Sequence, residues 1–149
     1  MGNSYYKSPV GDLEIICENN ELVSLKIVET VANNGVDTNF IKRIKLQLDE
    51  YFAGKRQYFD IKINPNGTVF QKLVWDQLQK IPYGKTKSYS EIAVALGNTN
   101  AQRAVGSACN KNPIMLIIPC HRVISKNGTL GGFACRNKIK QKLLEIENY

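Results

Sequence analysis

Residues 88–113 read SYSEIAVALGNTNAQRAVGSACNKNP. Ser88 followed three residues later by Glu91 is a capping box, in which the Ser hydroxyl and the Glu carboxylate each satisfy a backbone N–H that the first helical turn leaves orphaned. The helix it opens runs through Leu96 and stops at Gly97. Asn98-Thr99-Asn100 is a polar turn, and a second short helix runs from Ala101 to about Asn110, closed by Asn112-Pro113 because the residue before a proline is pushed out of the helical region. Two short helices joined by a tight polar turn form a helix-turn-helix candidate. Many helical domains contain such a pair, so the motif acquires meaning only from what surrounds it.

Upstream, Thr68 is placed to cap a helix carrying Phe70, Val74, Leu78 and Ile81 on one face, ended by Pro82-Tyr83-Gly84-Lys85. Asn64-Pro65-Asn66-Gly67 is a turn cluster and the best domain boundary. Before it, Tyr5–Lys7, Leu13–Cys17 and Leu22–Val28 carry β-formers, separated by turn-like breaks at residues 9–12 and 18–21. Residues 29–36 read as a loop. Phe40, Ile44, Leu48, Tyr51 and Phe52 recur at helical spacing with Gly54 as C-cap, and Phe59–Ile63 reads as one more strand. Downstream of the helix pair, an extended apolar stretch ends in Pro119-Cys120-His121-Arg122-Val123-Ile124. Residues 125–128 form a turn and 131–134 a Gly-containing loop. A last helix, about Asn137 to Glu147, buries Ile139, Leu143 and Ile146. The expected class is α+β, with a small α/β domain over residues 1–67 and a mostly helical domain over residues 68–149.

The 149 residues suffice for a proper core, and 43% apolar with 22% charged residues excludes wholesale disorder. The longest aliphatic run, Ile114–Ile118, is too short to span a bilayer, so no membrane role is expected. The N-terminal residues lack the basic and apolar regions of a secretory signal. Net charge is +7, and it is unevenly spread: residues 1–70 carry net −1 and residues 71–149 net +8. The basic half meets a polyanion, a nucleic acid before any other, or it is a solvated surface that aids solubility. Cys17, Cys109, Cys120 and Cys135 form no Cys-x-x-Cys pair, and His121 is the sole histidine. Ligands at paired spacings for a structural zinc are absent, and the thiols are expected to be reduced, in a cytoplasmic or nuclear protein.

Cys120 is the residue around which chemistry can be built. An apolar setting raises a thiol pKa and leaves it inert, whereas His121 beside it could act as its base. In an extended chain neighbouring side chains point to opposite faces, so a bridging water is the easier geometry. The imidazole then needs a carboxylate to fix its tautomer, and Glu145 and Glu147 are the candidates. The alternative is a buried structural cysteine with a capping histidine. The second helix of the pair is mainly small residues with one Arg. Gly106 within it costs roughly 1 kcal/mol against Ala, which close approach to another helix or to a minor groove would explain. Arg103 either enters a base stack or sits on a solvated face.

Together these residues resemble the O6-alkylguanine-DNA alkyltransferases, the methylated-DNA–protein-cysteine methyltransferases. The resemblance is carried by Ile81-Pro82-Tyr83-Gly84-Lys85, Ser88-Tyr89, Arg103-Ala104-Val105-Gly106 with Ala108, Asn112-Pro113, and above all Ile118-Pro119-Cys120-His121-Arg122-Val123-Ile124. Their order and spacing fit across residues 68–149. Residues 1–67 resemble the family's variable N-terminal domain more loosely, through length and the Ser8-Pro9-Val10-Gly11 turn. The resemblance implies an RNase H-like N-terminal domain and a stoichiometric methyltransferase that reverses DNA damage. The damaged guanine is flipped from the duplex through a minor-groove helix-turn-helix, and its alkyl group passes irreversibly to Cys120. O4-alkylthymine is left open as a second substrate.

By the same resemblance, His121 (through water) and Glu147 activate the thiol, Tyr89 crowds the phosphate and protonates guanine N3, and Asn112 braces the active-site turn. Arg103 fills the stack, with Ala101, Ala104, Gly106 and Ser107 on the DNA-binding helix. Val123, Phe133, Ala134 and Cys135 line the pocket. The backbone carbonyls of Cys120 and Val123 accept from the guanine amine, and the Ala134 N–H donates to O6. The implied partner is double-stranded DNA containing O6-alkylguanine, met by a monomer without cofactor. Some relatives carry zinc in the N-terminal domain; with only Cys17 there, none is expected. Phe133 stands where relatives often have Tyr, and Cys135-Arg136 where they often have two glycines, which bears on how bulky adducts fit. Three rival readings are a non-catalytic lesion binder, a regulatory helix-turn-helix protein and a Cys-His acyl hydrolase. Cys120 argues against the first, the small residues of the second helix against the second, and the basic half against the third.

Overall fold

In the computed structural model, residues 2–32, 37–126 and 134–147 are described. The chain divides into two compact units, Met1–Asn66 with Pro113–Met115, and Gly67–Asn112 with Leu116–Tyr149.

The first unit is a three-stranded antiparallel sheet, β1 (Gly2–Ser8), β2 (Gly11–Glu18) and β3 (Glu21–Ile27), with one helix, α1 (Asn39–Phe52). The β1–β2 turn is held by Ser8, whose hydroxyl donates to Gly11 O (2.6 Å) and accepts from Val10 N–H (3.2 Å). At the β2–β3 turn both Asn19 (φ 52°) and Asn20 (φ 57°) are left-handed, as a two-residue hairpin matched to strand twist requires. Leu13, Ile15 and Cys17 alternate into the core from β2. On β3 the buried residues are Leu22 and Leu25, three apart, because the register shifts between Ile16 and Cys17. That irregularity gives Val23 no opposite number and turns both leucines to the same face. Thr38 caps α1 by accepting from Ile41 N–H, and Ile41, Ile44, Leu48 and Tyr51 face the core. The expected strand over Phe59–Ile63 shrinks to a single bridge, Leu22 with Ile63. The cause is the buried Gln47 of α1. Its amide accepts from Asp60 N–H (2.9 Å) and donates to Asp60 O (3.2 Å), occupying the backbone groups that a strand ladder would need.

The second unit opens with α2 (Val69–Leu78), capped by a complete box between Thr68 and Gln71. Its buried residues are Val74, Trp75 and Leu78. Trp75 is the anchor. Its indole N–H donates to Ala108 O (2.9 Å), one of the last carbonyls of α4 (Gln102–Asn110), which lack intrahelical donors. Gly67 lies flat against the indole: a Cβ there would sit 2.5 Å from the ring. α3 (Tyr89–Ala95) starts at the Ser88–Glu91 capping box, which is present in full, and the chain leaves it through Gly97 at φ 79°. Ser88 also ends β4 (Lys87–Ser88), which pairs in parallel with β5 (Val123–Ile124), Lys87 against Val123 and Ser88 against Ile124. α5 (Ala134–Ile146) closes the unit. Its buried positions are Leu143, Leu144 and, just beyond it, Glu147, with Ile139 and Ile146 only half-buried. The buried stripe therefore lies one position away from the expected Ile139, Leu143 and Ile146. Glu147 closes it and the half-buried Lys140 precedes it, and apolar periodicity skips charged residues.

Candidate active site and nucleic-acid face

The stretch before Cys120 does not stay extended. Pro119 adopts φ −81° and ψ 67°, with Cys120 N–H donating to Ile118 O (2.8 Å), an inverse γ-turn. Cys120–Arg122 then forms one 3-10 turn, in which Arg122 N–H donates to Pro119 O (3.0 Å). The expectation of opposed neighbouring side chains is thereby corrected. At three residues per turn, Cys120, His121 and Arg122 point in three directions. Cys120 is half-buried and in no disulfide, whereas His121 and Arg122 are buried.

Asn112 braces this turn. Its side-chain amide donates to Ile118 O (2.7 Å), the carbonyl that also accepts from Cys120 N–H. Val123 is fully buried, and its N–H donates back to Cys120 O.

Of the two candidate carboxylates, Glu147 joins the site and Glu145 does not. Glu145 is exposed and accepts from Gln141 (3.3 Å). Glu147 is 1% exposed, and its carboxylate is held by both residues that follow Cys120. Arg122 Nε reaches Oε1 (2.8 Å), Arg122 Nη2 reaches Oε2 (3.0 Å), and His121 Nε2 reaches Oε2 (2.6 Å). Arg122 Nη1 donates to Ile81 O (2.8 Å). The guanidinium fork thus neutralises the carboxylate in the geometry it fits best. Burial is the main cause that pushes the His121 pKa below the ordinary imidazole value, although Glu147 opposes it. Histidine is therefore neutral at pH 7, with Nε2–H donating to Glu147. Its Nδ1 is left as a buried acceptor without a hydrogen-bond partner among the described residues. A neutral imidazole with one nitrogen held by a carboxylate and the other an open acceptor can take a proton from a neighbouring acid through a water. Sequence reading missed the role of Arg122, because its partner lies 25 residues away.

Tyr89 opens α3, half-buried, and β4–β5 pairing fixes it beside the Cys120 turn. Its phenol accepts from Lys140 Nζ (3.2 Å), and that ammonium also lies 5.4 Å from the ring centroid. Burial first, then the Cys109 and Cys120 charges, push the Tyr89 pKa up to about 12. Burial lowers that of Lys140. Lys140 is a second residue that sequence reading overlooked.

Helix α4 has two faces. Val105, Ala108 and Cys109 are buried, as is Ala101 before the first turn, while Gln102, Arg103, Ala104 and Ser107 are exposed. Gly106 is half-buried, and a Cβ there would meet only the Tyr89 ring at 3.9 Å, an ordinary contact. Tight packing against another helix is therefore not the reason for glycine. Ala134 begins α5; the Cys135 side chain and Phe133 lie outside the described residues. Among the described residues, no group of three or more His, Cys, Asp or Glu could hold a metal, and no helix is long and apolar enough to cross a membrane.

This combination of a turn-borne Cys-His, a buried carboxylate and a helix pair with a small-residue face defines a class, and comparison with known proteins specifies it. Residues 69–149 match the 6-O-methylguanine DNA methyltransferase DNA binding domain, and residues 1–65 match the ribonuclease-like domain of the same family. The chain belongs to the 6-O-methylguanine DNA methyltransferase family. It is 43% identical over 153 aligned residues to the methylated-DNA–protein-cysteine methyltransferase of Methanosarcina acetivorans, covering 99% of this chain and 98% of that one. Its fold is similar to the Mycobacterium tuberculosis O6-methylguanine methyltransferase (TM-score 0.89, 38% identity, 98% of this chain and 92% of that one). It is equally similar to the Mycobacterium tuberculosis protein solved in complex with DNA (TM-score 0.89, 38% identity, 99% and 92%).

Proposed function

We propose that this protein repairs alkylated DNA by moving the alkyl group from O6 of guanine in a duplex onto Cys120, once per molecule and as a monomer. The observation that carries the reading is the buried His121–Glu147–Arg122 relay behind the half-buried Cys120, with Nδ1 of His121 as its open end. Family membership and the relative solved with DNA support the substrate class.

The thiol proton passes through a water to His121 Nδ1, and Glu147 stabilises the resulting imidazolium. The thiolate attacks the alkyl carbon in line. The S–C bond forms, the C–O6 bond breaks, and the electron pair stays on guanine. A soft thiolate suits an ether-like carbon, and guanine is a poor leaving group unless it is protonated. Tyr89 donates that proton to N3. Because Tyr89 oxygen already accepts from Lys140, its own hydrogen is free to point at the base, and Lys140 can return a proton to the phenolate. Ala134 N–H, in the first turn of α5, has no intrahelical acceptor and is available to O6. The carbonyls of Cys120 and Val123 receive the exocyclic amine. A base cannot be reached inside the stack, so it is flipped out. Arg103 on the exposed face of α4 fills the gap, and Ala104, Gly106 and Ser107 allow the helix into the minor groove, whereas Ala101, buried before the first turn, packs inward instead of facing DNA. The product is a thioether, stable to water, so the molecule does not recycle.

The test is incubation with a duplex containing O6-methylguanine, then intact mass and a peptide map. One methyl on Cys120, absent in Cys120→Ser, is the expected result. Bound duplex with no added mass would leave a lesion-binding protein and refute the transfer. A parallel O4-methylthymine duplex decides whether that lesion is also accepted.

A further inference from the structure

The relay's two charged members share a support that the mechanism above does not use. The chain from Ile81 to Gly84 touches both. Ile81 O accepts from Arg122 Nη1 (2.8 Å). The Tyr83 ring lies under the Arg122 guanidinium (5.9 Å to the centroid), and its hydroxyl donates to Ile146 O (3.1 Å), the carbonyl immediately before Glu147. Gly84 N–H points at Glu147 Oε1 (3.4 Å). Gly84 is left-handed at φ 76°, and a Cβ there would stand 3.2 Å from Glu147 O, so the backbone closes tightly over the end of α5.

We infer that Ile81–Gly84 is a clamp that holds the end of α5 so that the Glu147 carboxylate stays dry and aligned on His121 and Arg122, with Tyr83 as its positioning residue. The inference rests on the relay proposed above. The physical reasons are direct. Helix ends fray because their last carbonyls lack donors. Glu147 sits just past the last turn of α5, where fraying would admit water and let the carboxylate swing away. The Tyr83 hydroxyl supplies one of the missing donors. The ring also holds the Arg122 guanidinium by cation–π attraction. The clamp continues through β4 into Tyr89, so one short segment ties the relay to the proton donor.

The test compares wild type, Tyr83→Phe, Gly84→Ala and Glu147→Gln in two assays. One is Cys120 alkylation by iodoacetamide across pH 5–9, followed by mass mapping. The other is methyl transfer from the lesion duplex. Tyr83→Phe keeps the ring and loses one hydrogen bond, so both rates at pH 7 should fall roughly 2- to 10-fold. The acid limb of the iodoacetamide profile should move to higher pH, because water reaching His121 relieves the burial that keeps it neutral. Gly84→Ala should shift it in the same direction. DNA affinity and the Trp75 emission of the folded state should not change. Wild-type rate and profile in Tyr83→Phe would overturn the clamp. So would a rate loss that tracks a lost folded fraction with an unmoved pH profile. If Glu147→Gln also leaves the iodoacetamide profile unmoved, it is the relay itself that has failed.

Discussion

Replacing Arg122 by Met tests the relay through stability, without DNA. We predict a loss that depends on pH in a particular direction. Arg122 contributes two bonds to Glu147 and one to Ile81 O, all at 2.8–3.0 Å, and both ion-pair partners are nearly fully buried. Met fills a similar volume but carries no charge. At pH 8 the Glu147 carboxylate would be left buried without its guanidinium partner. Breaking a buried pair in this way costs about 3–5 kcal/mol, a large share of the ~5–15 kcal/mol that holds a typical domain.

The variant has an escape that wild type does not use. In wild type, burial keeps His121 neutral in the folded state and the Arg122 charge adds to that effect, while an unfolded histidine protonates near 6.5. Wild-type stability from this site is therefore fully present above 6.5 and is lost as pH falls below it. Without Arg122, His121 takes a proton to pair with Glu147, so its folded-state pKa rises and the variant gains stability as pH falls. The gap between the two proteins should close on going from pH 8 to pH 6, by at most ~1.4 kcal/mol per pH unit. Urea unfolding followed by fluorescence reads this directly, since Trp75 is the only tryptophan and lies against α4. A loss below about 1 kcal/mol at pH 8, or an equal loss at both pH values, would refute the reasoning.

Three further outcomes are expected. Gly67→Ala should destabilise the second unit by about 1–3 kcal/mol in the same urea assay, because its Cβ would overlap an indole that its hydrogen bond to Ala108 O prevents from moving; an unchanged midpoint would show that the ring can yield. Arg103→Ala should slow methyl transfer from duplex while leaving iodoacetamide alkylation of Cys120 untouched, since Arg103 is exposed on α4 and the proposed proton path runs through His121 and Glu147; equal slowing of both would place Arg103 in the relay instead. Lys140→Met should slow methyl transfer by roughly 10- to 100-fold, less than the ~10²–10⁴ of losing a general acid outright because Tyr89 remains, without weakening DNA binding; a loss confined to binding would make Lys140 a phosphate contact.

Features specified by neighbours in the chain were legible from the amino-acid sequence. The Ser88–Glu91 box, the Asn19-Asn20 turn and the Gly97 stop depend on residues within four positions of one another, and each stands where local chemistry puts it. The Cys120-His121 pair and the choice of two carboxylates were legible too; the residues alone left that choice open, and only the family resemblance singled out Glu147. Glu147 is distinguished from Glu145 only by Arg122 and His121, both about 25 residues away. The parallel pairing of β4 with β5 was hidden because two-residue strands have no periodicity. Glu147 was invisible as a buried position, and Lys140 as a half-buried one, because charge normally signals solvent. Phe59–Ile63 had strand composition, and the Gln47 side chain overrode it. The ribonuclease-like character of the first unit follows from family membership, not from periodicity.

The central claim is that Cys120 accepts an alkyl group once and keeps it. The direct measurement mixes a fixed amount of protein with a several-fold excess of O6-methylguanine duplex and counts repaired guanines over time. Repair should rise in one phase and stop at one guanine per active protein, with Cys120 fully methylated at the plateau. Continued repair beyond that ratio, or a plateau reached with Cys120 unmodified, would contradict the account.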